Sequence, residues 1–438
     1  MNGGLSMVEM KSGYKMTEVG VIPEDWEVCE LKNHLVLLTD YDANGSFADM
    51  ASNVVTTTGN GYAWYVRATD LEQQSSLSEV KYVDEKSYRF LRKSTLYGGE
   101  VLLAKRGEIG KVYYFQMKTK RATLAPNLYL LKLKDTINSY FLFSLFKSTF
   151  GQNLLKSINA STSLGAIYKD DVKGLNILIP PFEEQASIAT ALSDVDSLIS
   201  ALTKKIEKKK AIKQGLMQQL LTGKKRLPGY EKNRESVQTE WGTIPKDWKT
   251  LSIGKCCSIK ARIGWQGLKK SEYQSSGEYV LVTGTDFLNG RIDWKSCVYV
   301  SKKRYEQDSN IQIVKHDILI TKDGTIGKVA FLDDVPCLGT LNSGIFVVRS
   351  HSEELDQSYL SKIFKSFIFD AFLESLVAGS TINHLYQKDF VHFNFPVPPT
   401  ISEQTAIANI LSDCDSEIAA LEEKRDKYKE IKQGMMQQ

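Results

Sequence analysis

The amino-acid sequence predicts an α+β protein in which one module occurs twice. We expect two tandem globular α/β domains separated by two long helices, which pair as an antiparallel coiled coil with pseudo-twofold symmetry. Two observations lead to this prediction: a long internal repeat, and a heptad pattern of apolar residues in each copy. At 438 residues the chain also exceeds the size at which a single hydrophobic core keeps growing. At least two domains are therefore expected.

The repeat consists of motifs that recur in the same order in both halves of the chain. They are Gly-x-Ile-Pro-x-Asp-Trp at 20–26 and 242–248, Lys-x-Gly-x-x-Gly-Lys at 105–111 and 322–328, Pro-Pro at 180–181 and 398–399, Glu-Gln-x-x-Ile-Ala at 184–189 and 403–408, and Ile-Lys-Gln-Gly-x-Met-Gln-Gln at 212–219 and 431–438. Solenoid repeats are shorter and more numerous than this. The pattern therefore indicates a duplicated domain, whose two copies share one fold.

Each copy contains a long helix with an apolar seam. In the first helix the seam residues are Ile188, Leu192, Val195, Ile199, Leu202 and Ile206, and in the second they are Ile407, Leu411, Cys414, Ile418 and Leu421. Their alternating spacing of four and three residues is typical of a coiled coil. One helix cannot bury its own seam, so we expect the two helices, over 183–222 and 401–438, to pair with each other. A linker over 223–240 returns the chain, which makes an antiparallel pairing the simplest.

The remaining chain is predicted to form an N-terminal extension over 1–16 and two globular domains over 17–182 and 241–400. Each domain mixes strands with short helices. The predicted strands cover 101–104, 128–133, 177–179, 317–321 and 345–348, and the predicted helices cover 138–155 and 357–376.

The Lys-x-Gly-x-x-Gly-Lys motif follows a predicted strand in both copies and therefore indicates a hairpin. Glycines let the backbone approach a ligand closely, and flanking cations favour phosphate. The motif lacks the spacing and the terminal Ser or Thr of a nucleotide-binding P-loop. We expect a contact with a DNA backbone, and a purely structural turn is the alternative. The candidate DNA-binding residues outside the divergent segments are Lys105, Arg106, Lys111, Ser161, Thr162, Lys322, Lys328, Ser380 and Thr381.

Between the Trp of the first motif and the hairpin the two copies differ in sequence. The segments 41–47 and 61–67 of the first copy have no counterpart in 260–270 of the second. Arg reads guanine and Gln or Asn reads adenine through paired hydrogen bonds in the major groove. We expect the two copies to recognise different bases here, and ordinary surface loops are the alternative. The candidates for base contact are Tyr62, Trp64 and Arg67 in the first copy and Arg262, Trp265, Gln266, Lys269 and Lys270 in the second.

Signals of catalysis are few. Asp70 followed by Glu79 has a weak likeness to a metal-dependent nuclease, but the second copy has Lys295-Ser296-Cys297 at the aligned position. We interpret the likeness as chance and expect no catalytic, cofactor-binding or metal-binding residue in this chain. The histidines are scattered, and the cysteines show no CxxC pair, which is typical of reduced structural thiols.

Charge and hydropathy place the protein in the cytoplasm. No apolar run reaches the ~18 residues that a membrane span needs, and the opening residues lack the features of a secretory signal. The net charge of +4 is too small for the whole surface to attract a polyanion. Any nucleic-acid site must therefore depend on local basic clusters.

The motifs, in this order and duplicated, resemble those of the specificity subunit of type I restriction-modification systems, over nearly the whole chain. The resemblance implies two target-recognition domains, each reading one half of a split, asymmetric site in double-stranded DNA, with the helices as spacer and ruler. It also implies two modification subunits and two ATP-driven restriction subunits as partners. S-adenosylmethionine, ATP and magnesium would be bound by those partners.

In such a complex the long helices bind the modification subunits. The resemblance therefore makes Lys213, Gln214, Lys432 and Gln433 candidates for partner contacts, and a merely solvated helix face is the alternative. Two other functions stay open at this point: a self-contained DNA-modifying enzyme, and a coiled-coil adaptor without a nucleic-acid role.

Overall fold

A computed structural model describes residues 12–159, 165–231, 235–377 and 384–437. It divides into two compact units. The first unit comprises residues 1–203 together with 423–438, and the second comprises residues 204–422. Each unit is an α+β structure, as the sequence predicts.

The first unit contains two principal sheets. Its strands are β1 (Tyr14–Thr17), β2 (Gly20–Pro23), β3 (Glu27–Glu30), β4 (Leu35–Asp40), β5 (Thr56–Thr58), β6 (Ala63–Val66), β7 (Lys81–Val83), β8 (Thr95–Leu96), β9 (Val101–Ala104), β10 (Val112–Tyr114), β11 (Ala122–Leu124), β12 (Leu128–Leu133) and β13 (Asn176–Ile179). Its helices are α1 (Phe47–Asn53), α2 (Ala68–Glu72), α3 (Glu85–Phe90), α4 (Ser139–Lys147), α5 (Thr149–Ser157), α6 (Lys169–Lys173) and the first part of α7 (Phe182–Leu220). One sheet has the order β10-β9-β12-β4 and the other β5-β7-β6-β11-β8.

Strand β12 shows how the first unit builds its core. Successive side chains of a strand point to opposite faces of the sheet. Tyr129 and Leu131 pack in one cluster with Phe146 of α4, whereas Leu128 and Leu130 pack in a second cluster that includes strands of the five-stranded sheet. Both faces of β12 are therefore buried, which explains why it is a continuous apolar run in the sequence.

The second unit repeats this arrangement. Its strands are β14 (Ser236–Thr239), β15 (Gly242–Pro245), β16 (Lys249–Ser252), β17 (Cys257–Lys260), β18 (Tyr279–Val282), β19 (Phe287–Leu288), β20 (Arg291–Ile292), β21 (Val298–Val300), β22 (Ile318–Thr321), β23 (Val329–Phe331), β24 (Leu338–Leu341), β25 (Ile345–Ser350) and β26 (Asn394–Val397). Its helices are α8 (Ile253–Cys256), α9 (Lys302–Glu306), α10 (Gln357–Phe364), α11 (Phe367–Val377), α12 (Gln387–Phe390) and most of α13 (Ile401–Met435). The principal sheets are β17-β25-β22-β23 and β21-β18-β24.

Each helix predicted between the core strands and the long helix is interrupted. The chain predicted as one helix over 138–155 forms α4 and α5, because Ser148 has an extended backbone and its Oγ accepts a hydrogen bond from the backbone N–H of Gly151 at 3.2 Å. A serine in this conformation is a helix N-cap. The predicted helix over 357–376 is likewise divided into α10 and α11. The apolar period continues across both breaks, so it could not reveal them.

Two short hairpins lie partly outside the predicted domains. Strand β1 pairs with β2, and strand β14, in the predicted linker, pairs with β15 in the same antiparallel register. In each hairpin a Thr, at 17 or 239, faces a Gly, at 20 or 242. The repeated module therefore begins a few residues earlier than the sequence motifs suggest.

The Glu-Gln motif has the same structural role in both units. Gln185 accepts a hydrogen bond from the backbone N–H of Asn138 at 2.9 Å, and its side-chain amide donates to the carbonyl of Pro180 at 2.9 Å. Gln404 accepts from the backbone N–H of Asp356 at 2.8 Å. Asn138 and Asp356 are the N-caps of α4 and α10. Each buried glutamine thus ties the start of a long helix to the start of a core helix.

The long helices pair in antiparallel fashion, as predicted. In the second unit Lys209 of α7 donates to Glu417 of α13 at 2.7 Å, and Lys213, one turn further along α7, pairs with Asp415, which lies earlier in α13. Seam residues are buried in both units; they include Leu192, Leu202, Ile206, Leu411 and Ile418. Within the parts of the chain that the structure describes, no helix combines the length and the apolar character that crossing a membrane requires.

Candidate nucleic-acid interface

The glycine motif forms a β-hairpin in both units, as predicted. It connects β9 to β10 and β22 to β23. The second glycine, Gly110 or Gly327, has a positive φ, and a Cβ there would lie 2.5 Å from the Gln152 side chain or 2.4 Å from that of Leu373. The first glycine of the first hairpin, Gly107, has open space around it. The hairpin is thus packed against a helix on one side and leaves its tip accessible on the other.

Both lysines of the first hairpin are engaged in ion pairs. Lys105 is buried and donates to Asp40 at 3.0 Å and to Asp42 at 2.5 Å. Burial raises the pKa of Asp40, but hydrogen bonds from Lys169 and Lys105 outweigh this effect and hold that pKa below its usual value. Lys105 is therefore a structural residue and is not available to phosphate in this conformation.

Arg106 is the exposed cation of the first hairpin. Lys111 lies nearby but pairs with Glu72 at 3.0 Å and with Glu108 at 2.8 Å. Arg106 is exposed and, within the described part of the chain, forms no ion pair. Its guanidinium is the group of this hairpin that is free to meet an anion.

The second hairpin has the same backbone but different charges. Lys322 is half-buried, with its Nζ 5.3 Å from the centroid of the Phe346 ring. Asp323 occupies the position of Arg106 and pairs with His384. Lys328 is exposed and makes no ion pair among the described residues. The unpaired cation thus lies at the tip of the hairpin in the first unit, as Arg106, and at the end of the hairpin in the second unit, as Lys328.

An exposed tyrosine stands beside each hairpin. The backbone N–H of Ile167 donates to the carbonyl of Lys105 at 3.1 Å, and that of Leu385 donates to the carbonyl of Lys322 at 2.8 Å. The next residue in each copy is Tyr168 or Tyr386, which are 61% and 54% exposed. The sequence motifs described above do not include these tyrosines, although both copies have one at this position. The signal that could have identified them is a shared aromatic in a polar segment.

Some of the predicted contact residues lie outside the described part of the chain. They are Ser161, Thr162, Ser380 and Thr381, together with the side chain of Trp265.

The candidates in the segment 61–67 are not all accessible. Trp64 is 2% exposed and packs against Phe115, with a ring-centroid distance of 5.5 Å. Tyr62 is half-buried, and the Arg121 guanidinium lies 4.4 Å from its ring centroid. Trp64 is therefore a core residue, which removes it from the candidates for base contact. Its strand, β6, is buried on both faces, so the aromatic residues there point inward.

Arg67 is held by a buried carboxylate. Its Nε donates to Asp70 at 3.0 Å, and Nη2 donates to the other oxygen at 2.5 Å. Asp70 is almost fully buried, and Glu79 accepts hydrogen bonds from the backbone and side chain of Ser76. Within the described ranges no cluster of His, Cys, Asp and Glu could hold a metal ion. The geometry gives no support to a nuclease site at Asp70 and Glu79.

In the second copy the segment 260–270 is partly buried. Arg262 is 2% exposed and donates to the carbonyl of Leu341 at 2.8 Å and to the Thr340 hydroxyl at 3.0 Å. Burial, assisted by nearby Arg304, lowers the pKa of Arg262. Like Trp64, Arg262 is structural here and no longer a candidate for base contact.

The rest of this segment is divided between interior and surface. Gln266 is 6% exposed, and its side-chain oxygen has no hydrogen-bond partner among the described residues. Lys269 and Lys270 are exposed. Of the predicted contact residues of this segment whose side chains the structure describes, Lys269 and Lys270 are therefore the accessible ones.

The lysines predicted to meet a partner join the two helices instead. Lys213 pairs with Asp415 in the second unit, and Lys432 donates to Asp196 at 2.7 Å in the first. The neighbouring Gln214 and Gln433 are exposed. So are the apolar residues that precede the lysines, Ile212 at 46% and Ile431 at 42%. The exposed surface at this motif is thus apolar and amide-bearing.

These features define a class of protein: a duplicated α+β structure whose two units share a glycine hairpin and an exposed tyrosine and differ in the neighbouring segments. A family model for the type I restriction modification DNA specificity domain matches residues 23–214 and again 245–433. The chain belongs to this family as a specificity subunit, which confirms the resemblance. Specificity subunits are non-catalytic, and this supports the expectation that the chain is not an enzyme.

Similar proteins extend over nearly the whole chain. The putative type I restriction enzyme MjaX specificity subunit of Methanocaldococcus jannaschii is 28% identical over 431 residues, which cover 97% of this chain and 95% of that one. The MjaVIII specificity subunit of the same organism is 24% identical, with 95% and 92% covered. The crystal structure of a type I restriction-modification S subunit from M. genitalium matches with a TM-score of 0.62 at 14% identity, over 94% of this chain and 95% of that one. The last comparison supports the fold.

Proposed function

We propose that each unit reads one half of a bipartite, asymmetric site in double-stranded DNA. The observation that carries this proposal is the pair of hairpins, which have one backbone geometry in two units that differ in the segments 41–47 and 260–270. A shared frame with different surface chemistry suits two recognition domains that read different sequences. The catalytic steps and their cofactors, S-adenosylmethionine, ATP and magnesium, belong to the partner subunits.

Contacts with the DNA backbone come from the exposed tyrosine of each unit and from the free cation of each hairpin. Tyr168 and Tyr386 can each donate a hydrogen bond to a phosphate oxygen, and Arg106 and Lys328 supply positive charge at the hairpins. Phosphate contacts position a protein on DNA without reading its sequence. This division of labour explains why the tyrosines are shared while the segments beside them differ.

Base contacts come from the exposed parts of the divergent segments. In the second unit these include Lys269 and Lys270. In the first unit they include the segment 41–47, which lies beside Arg106 along one groove. Lys pairs with the O6 and N7 acceptors of guanine, so the second half-site is expected to contain a guanine whose reading depends on these lysines.

The long helices dock two modification subunits, and two restriction subunits complete the assembly. Ile212 and Ile431 support this part of the proposal, because they occupy the same position in the repeat and both are exposed. Depletion of charge and enrichment of apolar residues is typical of the buried centre of an interface. Gln214 and Gln433, next to them, can satisfy polar groups of the partner.

The test is methylation profiling of DNA from cells that express the chain with its modification subunit. We expect one split motif with two defined halves. The Lys269→Ala/Lys270→Ala variant should relax one half only, and Lys303→Ala, an exposed lysine of the same unit, should leave the motif unchanged. A single uninterrupted motif, or relaxation of both halves by the double variant, would contradict the proposal.

A further inference from the structure

The first unit contains a groove that begins at Arg106, one of the proposed backbone contacts, and extends past it. Its volume is about 600 Å³, within the range of small-ligand sites. Tyr41, Tyr65, Met50 and Val54 supply apolar and aromatic lining, and the hairpin supplies one wall. Tyr41 and Tyr65 pack edge to face with ring centroids 5.9 Å apart. The groove is therefore backed by two buried aromatic side chains that pack on each other.

Phe47 stands at the rim of this groove and is 92% exposed. Burial of a phenylalanine side chain stabilises a protein, so the exposure of Phe47 forgoes that stabilisation. The backbone that carries Phe47 is fixed by a capping box at the start of α1. Ser46 caps α1 by accepting from the N–H of Asp49 at 3.2 Å, and the Asp49 carboxylate accepts from the N–H of Ser46 at 2.8 Å.

The loop that leads to Phe47 is fixed as well. The Asn44 side chain donates to the carbonyl of Tyr41 at 2.9 Å and to the Ser94 hydroxyl at 2.8 Å, and it accepts from the N–H of Lys93 at 2.9 Å. The backbone position of Phe47 is therefore fixed, and its exposed ring is accessible to a flat partner.

Three polar groups line the same groove: the Asp42 carboxylate, the Arg106 guanidinium and the Asn127 side chain. All three are exposed, and Asp42 is oriented by its ion pair with Lys105. Carboxylates accept hydrogen bonds from exocyclic amino groups, amides pair with adenine, and arginine binds guanine or phosphate. The groove therefore combines aromatic surface with the hydrogen-bonding groups that nucleobases require.

We propose that this groove holds one nucleobase of the half-site read by the first unit, swung out of the duplex and stacked on Phe47, with Arg106 on the adjacent phosphate. The inference rests on the proposed function. Extruding a base costs free energy because the base loses its pairing and stacking, and stacking on an aromatic side chain offsets part of that cost. Because the second hairpin carries Asp323 at the position of Arg106, we assign this site to the first unit.

The experiment uses the full chain with its modification subunit and duplexes that contain the mapped site. 2-Aminopurine, which fluoresces when unstacked, replaces each base of the first half-site in turn. We expect one position at which fluorescence rises on binding of the wild type and does not rise with Phe47→Ala. The variant should also bind about 10-fold more weakly, since 1.4 kcal/mol corresponds to that factor.

Controls separate this site from others. Tyr97→Ala removes an aromatic ring of the same unit that is 72% exposed and lies outside the groove, so affinity and fluorescence should match the wild type. The base that a methyltransferase modifies is also extruded, and its signal should persist in Phe47→Ala. Ala51→Trp fills the groove while Phe47 stays, and it should abolish the Phe47-dependent signal.

Two results would overturn the inference. If the wild type binds its site specifically but no position gives a signal that depends on Phe47 and on an open groove, the nucleobase site does not exist, and the proposed function still stands. If the wild-type complex shows no sequence-specific binding, the proposed function fails and this inference fails with it. Thermal melting of each variant shows whether a loss of binding reflects unfolding.

Discussion

Lys432 donates to both carboxylate oxygens of Asp196, at 2.7 Å each, inside the first unit. The second unit contains the equivalent pair, Lys213 with Asp415, and there the carboxylate also accepts from Lys362 at 3.0 Å. In each pair one helix of the repeat supplies the lysine and the other supplies the aspartate. The same contact therefore fastens the helices in both units.

The contact in the second unit should contribute more to stability. The Lys362 side chain is only 7% exposed, so Asp415→Asn leaves a nearly buried cation without its partner. We expect a loss of about 2 kcal/mol in the free energy of unfolding, between the values typical of exposed and of buried ion pairs. Urea denaturation measures it. Glu417→Gln, which breaks the more exposed pair with Lys209, is the control and should cost less than about 1 kcal/mol. Equal losses would show that burial of Lys362 does not matter.

The stability of the first unit should depend on pH through Asp40. Its lowered pKa means that the carboxylate stabilises the folded state above the ordinary value near 4, and that this stabilisation is lost as the pH falls through the lowered pKa. At neutral pH we expect Asp40→Asn to cost about 2 kcal/mol, because Lys105 is buried beside it but keeps its ion pair with Asp42.

The difference between Asp40→Asn and the wild type should shrink towards zero in acid. Urea denaturation at a series of pH values measures it, with Asp135→Asn, an exposed residue of the same unit, as the control. A difference that stays constant down to strongly acidic pH would rule out the ion pairs with Lys105 and Lys169 as its source.

The shared tyrosines should affect binding to every DNA sequence alike. Each of Tyr168→Phe and Tyr386→Phe removes one hydroxyl, and we expect an affinity loss of about threefold to tenfold, the range for a single hydrogen bond. Fluorescence anisotropy with the cognate site and with a scrambled duplex measures the loss. Tyr97→Phe is the matched control. An effect confined to the cognate site would mean that the tyrosines read bases.

The free cations of the hairpins should determine part of the salt dependence. Arg106→Ala and Lys328→Ala should each weaken binding and reduce the slope of log affinity against log salt by about 1, as expected for one lost phosphate contact. Titrations at several salt concentrations give the slope. Lys303→Ala should leave it unchanged. If the hairpin variants also leave the slope unchanged, the hairpins do not meet phosphate.

Arg262 should affect stability before it affects specificity. Its guanidinium is buried and donates to Leu341 and Thr340, so Arg262→Ala leaves buried acceptors without partners. We expect a loss of at least about 2 kcal/mol in the free energy of unfolding. Lys270→Ala, at an exposed position of the same segment, should leave the melting temperature unchanged. Unaltered stability in Arg262→Ala together with a relaxed methylation motif would restore Arg262 as a base-contacting residue.

The hairpins and the helix pair of this protein could be predicted from its sequence because the module that contains them is duplicated. Two copies of each motif identified the hairpins, and two matching seams identified the helix pair. The breaks between α4 and α5 and between α10 and α11 could not be predicted, since the apolar period runs through them. At Ser148 the decisive contact is a single hydrogen bond to Gly151.

The accessible surface was harder to predict than the hairpins and the helix pair. Lys105 looked free because its partners, Asp40 and Asp42, lie more than sixty residues earlier in the chain. Trp64 and Arg262 are in divergent segments, but divergence does not distinguish side chains that point inward from those that point outward. The exposure of Phe47 was equally hidden, because it depends on how Ser46 and Asp49 cap α1.

The division of the chain into units has a consequence for biosynthesis. Residues 423–438 complete the first unit, although about 220 residues of the second unit precede them in the sequence. The ribosome therefore finishes all of the second unit before Lys432 can reach Asp196. Contacts between residues this distant in sequence are slow to form. During synthesis the second unit should therefore fold first. Until then the part of α7 that belongs to the first unit lacks its partner helix.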